Sequence, residues 1–232
     1  MIVYLSQSTE QNIAYEGNKT SVKQIKVLIS NGTLSITNKA NFSKEKIKVF
    51  LTFENLEKIT TVGNVEIETV TNLNFNNLTL NLSEETVSTF FINSTEAKLM
   101  VSGKGELNLS GFIDTLRINA YDECEIFTTV KSKKVFCRTT DYSNVKFKGS
   151  IFKLYVFALK NSYVEALSCE IGISSIVAFD EADVKLTSLD ATEIYAYDNS
   201  TIYYRSQYQA TILESSFRSL IKEEIIKSAI NK

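Results

Sequence analysis

Apolar residues recur in this 232-residue chain at a step of about 19, and few folds tolerate that period. Leu80, Leu99, Ile118, Cys137, Val156, Ile176 and Ile194 form one column, with steps of 19, 19, 19, 19, 20 and 18 residues. Two positions on stand Leu82, Val101, Ala120, Thr139, Ala158, Ala178 and Ala196; eight positions on stand Ser88, Leu107, Ile126, Val145, Val164, Val184 and Ile202. Six positions on, the residues are small: Thr86, Gly105, Cys124, Ser143, Ser162, Ala182 and Ser200. Helical repeats need roughly 33 residues or more. A leucine-rich repeat would need an Asn ladder and Leu triplets, which are missing. Within each unit apolar and polar residues alternate with period two, the pattern of strands. The expected fold is therefore all-β: a parallel β-helix-like solenoid whose coils stack ~4.8 Å apart, so that each column becomes a ladder of like residues. The apolar columns line its interior and the small column fits a tight corner.

The flanks differ from the repeats. Ile25–Ile29, Asn31-Gly32 and Thr33–Ile36 read as a hairpin, because Asn-Gly suits a two-residue turn. Lys46–Thr52 alternates strictly, and the first 55 residues are expected to form antiparallel strands that cap one end. Phe217, Leu220, Ile221, Ile225 and Ser228 share a face at helical spacing, which predicts a short C-terminal helix over 214–230. The chain then reads as one domain over 1–232, with N-terminal strands (1–55), repeated coils (56–206) and a C-terminal cap (207–232).

Composition removes several chemistries. There is no histidine, which excludes Ser-His-Asp and Cys-His nucleophiles and His-ligated metals. Lys and Arg number 25 against 27 Asp and Glu, and this near-neutral balance argues against nucleic acid or any electrostatic partner. Three widely spaced cysteines, Cys124, Cys137 and Cys169, make neither a disulfide framework nor a metal site and are expected to be small buried thiols. No apolar run reaches the ~18 residues of a membrane span. Met1–Leu5 lacks the basic flank of a signal peptide.

Two sets of residues are candidates for function. The turn column holds Asp122, Asp141, Asp180 and Asp198, interrupted by Lys160. Stacked carboxylates could ligate calcium or cleave a polysaccharide, but Asp also suits a tight turn through its tolerance of left-handed backbone. The second set is aromatic. Phe157, Tyr195, Tyr203 and Tyr204 lie in the late coils, where rings on a rigid sheet could hold a sugar or a protein. Alternation predicts that Tyr203 and Tyr204 point to opposite faces, so that only one contributes. No cofactor is implied.

The order of these motifs resembles the putative auto-transporter adhesin head domain, or GIN domain, of exported Bacteroidetes-type proteins. The resemblance runs from Asn31-Gly32-Thr33-Leu34-Ser35-Ile36 through Leu56-Glu57-Lys58-Ile59 and the repeats to Ile202-Tyr203-Tyr204, roughly residues 2–206. Ser102-Gly103-Lys104-Gly105-Glu106-Leu107 comes nearest to the family's repeated turn. Asp122, Asp141, Lys160, Asp180 and Asp198 stand where the family has a turn glycine, and Tyr203-Tyr204-Arg205 replaces Tyr-x-Gly. The resemblance implies a right-handed β-helix and an exported protein of the periplasm, outer membrane or cell surface. It implies a non-enzymatic adhesin that meets a glycan, another protein or a second copy. A carbohydrate-active β-helix enzyme and a purely structural envelope module are the alternatives.

Overall fold

Alternating β-branched and polar residues, with no proline anywhere, leave little but strands. The computed structural model describes residues 1–38 and 46–225. The chain opens with β1 (Ile2–Gln7), β2 (Asn12–Glu16), a one-turn helix α1 (Lys19–Val22), and the hairpin β3 (Ile25–Ser30) and β4 (Thr33–Asn38). Four strands begin the coils: β5 (Lys48–Phe53), β6 (Lys58–Thr61), β7 (Glu66–Thr69) and β8 (Leu73–Leu82). Five long ones follow: β9 (Val87–Val101), β10 (Glu106–Ala120), β11 (Glu125–Thr139), β12 (Asn144–Ala158) and β13 (Tyr163–Ala178). The last are β14 (Asp183–Ser188), β15 (Thr192–Ala196), β16 (Thr201–Ser206), β17 (Thr211–Ser215) and β18 (Leu220–Ile225).

These strands build a β-solenoid of about nine turns. The columns read from the sequence are its ladders. Ile118 registers against Leu99 on one side and Cys137 on the other, and the column continues through Val156, Ile176 and Ile194. Every one of these side chains is buried. Each contributes roughly 1.5–3 kcal/mol of burial, available only because neighbouring coils cover it. The single 20-residue step is a β-bulge. Between the pairs Lys146↔Glu165 and Gly149↔Cys169, β13 carries one residue more than β12.

Each long strand bends where two successive side chains face outward, as at Lys133-Lys134 in β11 and Phe152-Lys153 in β12. The bend divides a coil into a first wall (Glu125–Ser132 in β11) and a second wall (Lys134–Thr139). A four-residue turn, such as Thr140–Ser143, joins the second wall to the next coil. The small column closes this corner, and Thr86, Cys124, Ser143, Ala182 and Ser200 are wholly buried there.

Two expectations about the ends need correction. The hairpin forms as predicted, with Asn31 and Gly32 at φ 50° and 72°, and β2 pairs antiparallel with β5. However, β1 runs parallel to both β5 and β7 and already belongs to the solenoid. Alternation specifies a strand but not the sense of its partner; here Val3, Leu5, Val49 and Ile67 must face one core. At the other end, the part of the predicted 214–230 helix that falls within the described residues is the end of β17, a turn and β18 instead. Residues 226–230 lie outside them. The edge of β16 offers a row of free N–H and C=O groups, and β18 takes them in register, Thr201↔Leu220 to Ser206↔Ile225. Ile221 thereby extends the Ile202 column, while Phe217, which its spacing placed on the apolar face of that helix, is fully exposed in the turn between β17 and β18.

Candidate binding surfaces

The four aromatic candidates do not share one surface. Phe157 and Tyr195 occupy one outward column of the second wall, separated by Val177 of the intervening coil. Phe157 is 37% exposed and Tyr195 half-buried. Tyr203 lies on the first wall, between Lys185 and Lys222, and its hydroxyl donates to Glu224 while accepting from Arg205 Nε at 3.0 Å. Tyr204 is corrected outright: it is 1% exposed, because alternation in β16 sends Ile202, Tyr204 and Ser206 inward. Its hydroxyl accepts from the Ala210 N–H at 3.4 Å, and burial pushes the phenol up to about 12.

Coil stacking also decides which part of each ring meets solvent. Phe136 and Tyr155 are registered neighbours with centroids 4.9 Å apart and planes at 11°, and the Arg117 guanidinium lies 4.4 Å from the Phe136 centroid. Phe179 and Tyr197 stack at 4.6 Å and 10°. The centroid separations match the coil spacing, so the ring faces cover one another along the solenoid axis and the ring edges point outward.

The turn column is built from left-handed backbone, as Asp there suggested. Asp122, Asp141, Lys160, Asp180 and Asp198 have φ of 61°, 62°, 49°, 52° and 49°. In the later turns the next residue is left-handed too, and an i to i+3 bond closes the turn: Ser162 N–H to Leu159 O (3.2 Å), Ala182 to Phe179 (3.1 Å) and Ser200 to Tyr197 (3.1 Å). The Asp122 carboxylate accepts from the Gly103 N–H one coil back at 3.0 Å, and Lys160 Nζ lies 3.4 Å from Asp141. A shallow open groove of about 440 Å³ runs along Asp141, Lys160, Asp180 and Asp198. Among the described residues, no three His, Cys, Asp or Glu side chains gather as a metal ligand set.

A surface that the sequence reading missed lies on the second wall. In β9 to β12 its outward positions carry Lys98, Arg117, Lys134, Arg138 and Lys153, with Glu96 as their one carboxylate. Glu96 accepts from Arg117 Nε at 3.0 Å and lies 3.7 Å from Lys98 Nζ; the Arg117 bond holds its carboxyl below the usual range. The outward columns of the sequence carry this signal, which the net charge of the chain hides.

All three cysteines are free and buried. Burial pushes Cys124 up to about 11 and Cys169 up to about 12, and raises Cys137 further. The folded protein is expected to show no thiol reactive towards a disulfide reagent at pH 8, and three after unfolding in urea; any fast-reacting thiol would contradict the packing. The raised values also set a sign. This contribution to stability is complete below the unperturbed value of 9.0 and is lost as pH climbs towards 11–12.

Residues 1–126 match the family model described as "Putative auto-transporter adhesin, head GIN domain". No curated protein matches the chain. Solved structures share the fold at low identity. A putative adhesin from Parabacteroides merdae is 13% identical with a TM-score of 0.69, covering 96% of this chain and 87% of that one. One from Parabacteroides distasonis is 12% identical with a TM-score of 0.66, covering 96% and 88%. A putative lipid binding protein from Parabacteroides distasonis is 12% identical with a TM-score of 0.62, covering 97% and 87%.

Proposed function

Because the chain belongs to the putative auto-transporter adhesin head GIN domain family, we propose that it is a non-catalytic binding module of an exported, surface-directed protein. It holds its ligand on the outer walls of the solenoid. The observation that carries this reading is the regularity of the coils. From β9 to β13 every connection is a four-residue turn, so nothing rises above the walls to enclose a substrate. An active site gains much of its power by excluding water and fixing the reacting groups, and an open wall does neither. A flat, rigid surface suits binding instead, since few groups lose freedom when a partner arrives.

One observation favours an enzyme: the groove over the stacked carboxylates Asp141, Asp180 and Asp198, since paired carboxylates suffice to cleave a glycosidic bond. Incubation with a panel of polysaccharides, followed for both retention and new reducing ends, separates the two. Retention without new ends is expected. Release of reducing ends that stops in Asp180→Asn would overturn the binding-module reading.

A further inference from the structure

We infer that the second wall of β9 to β12 is a docking surface for an anionic polysaccharide, one bearing carboxylate or sulfate groups along its length. The inference rests on the binding-module reading and names its site and its ligand class.

Charge is the first argument. Lys98, Arg117, Lys134, Arg138 and Lys153 face outward from four successive coils against a single carboxylate, Glu96. Over the same coils the first wall mixes both signs, with Glu106 and Glu125 among Lys131, Lys146 and Lys148. The register places like charges side by side, Lys98 against Arg117 and Lys134 against Lys153. Such pairs oppose folding, and the buried columns that drive assembly do not need them. Glu96 serves only Arg117 and Lys98. Among the described residues, Lys134, Arg138 and Lys153 have no carboxylate partner.

The rings supply the second argument. Arg138 lies 5.4 Å from the Phe157 centroid, Lys134 5.9 Å from Phe136 and Lys153 5.7 Å from Phe152. Cations propped on rings keep a fixed place and lose less freedom when an anion binds. The outward ring edges carry the positive end of the quadrupole, so Phe136 and Tyr155 add to the field of the cations. Adjacent coils set these charges ~4.8 Å apart along the axis, and alternate residues set them roughly 6.8 Å apart across it.

The same geometry selects among anions. A single-stranded nucleic acid is held largely by stacking bases on open ring faces, and here those faces cover one another. A bilayer needs a continuous apolar face, whereas the exposed Phe112 of the first wall and Phe152 at the bend are separated by the coil that carries Lys131 and Lys133. An extended chain of charged sugars needs neither. Asp114 at the bend is neutralised by Lys133 at 2.7 Å, and the carboxylates Asp122 and Asp141 lie round the corner in the turn column. The anionic chain therefore lies along the Arg117 and Lys134–Lys153 columns, away from the turns.

The test uses the full chain with a sulfated glycan (heparin), a polyuronate (polygalacturonate) and neutral dextran, over a series of salt concentrations. Anionic vesicles and single-stranded DNA are run beside them. The charged polysaccharides are expected to bind, more weakly as salt rises, and dextran not to. Lys134→Glu/Arg138→Glu/Lys153→Glu should weaken binding at least tenfold with unchanged melting. The charge-matched first-wall variant Lys131→Glu/Lys146→Glu/Lys148→Glu should change it less than twofold. Equal losses in both variants, full binding by the second-wall variant, binding only to vesicles or only to DNA, or no binding to either charged glycan would each overturn the assignment. A ligand held equally by wild type and the second-wall variant would leave the binding-module reading standing; reducing-end release would remove that reading itself.

Discussion

Ile118→Asp is expected to unfold the solenoid from its middle. Ile118 is 1% exposed and sits in the ladder between Leu99 and Cys137, and among the described residues no cation is buried on the interior columns to balance a carboxylate. An unpaired buried charge belongs to the rare substitutions that cost more than about 4–5 kcal/mol, a large part of a typical total of roughly 5–15. Damage to one coil also uncovers the two beside it, because each coil is covered only by its neighbours. Urea unfolding and limited proteolysis read the result: no cooperative transition, and cleavage throughout 87–139. Ile118→Ala is the graded companion. It leaves a cavity without a charge and should cost about 2–5 kcal/mol while the chain still folds. A wild-type midpoint for Ile118→Asp would mean that the column is not the core.

Gly111→Ala should rank next, although it adds a single methyl group. Gly111 has φ +133° inside β10, and a Cβ there would lie 1.8 Å from the Ile92 carbonyl oxygen. Neither side can yield, because Ile92 is buried and its strand is paired on both sides. Two coils later Gly149, at φ +96°, meets the Val130 carbonyl oxygen in the same way at 2.2 Å. The expected loss is upward of about 3 kcal/mol, from backbone strain together with overpacking. Gly32→Ala in the hairpin is the control. Its φ of +72° is also left-handed, but nothing lies within 4 Å of the added carbon, so only the conformational penalty of about 1–2 kcal/mol applies. Equal midpoints for the two variants would show that the close approach at Gly111 is absent.

Much of this architecture was legible in the residues because a solenoid turns sequence distance into spatial contact. A step of 19 means that Leu99, Ile118 and Cys137 touch, so the period and the core are one observation. The left-handed turns were legible for a similar reason: Asp122, Asp141 and Asp198 tolerate a backbone that most residues avoid. The opposite faces of Tyr203 and Tyr204 followed from period two, and the interior column at Ile202 sets Tyr204 as the inward one. The C-terminal segment was misread because Leu220, Ile221 and Ile225 satisfy helical spacing locally. The competing claim, an open edge on β16, exists only once the coils are stacked.

The candidate surface shows the same division. Net charge is a sum over the chain, and its near-zero value concealed a wall where Lys98, Arg117, Lys134, Arg138 and Lys153 face out together. The sequence places the rings on the late coils but does not show which part of each ring meets solvent. Stacking at the coil spacing turns Phe136 against Tyr155 and leaves only the edges exposed.

By itself, then, the sequence determined the period, the interior ladders, the tight corner and the αL turns, all of which depend on one residue and its repeat 19 positions away. The tertiary structure alone decided the sense of β1, the fate of the last strands and which part of each stacked ring meets solvent. Each of these depends on which partner is adjacent in space, and where an edge, a bend or a stacked ring competes with a local pattern, the groups left unpaired by stacking determine the outcome.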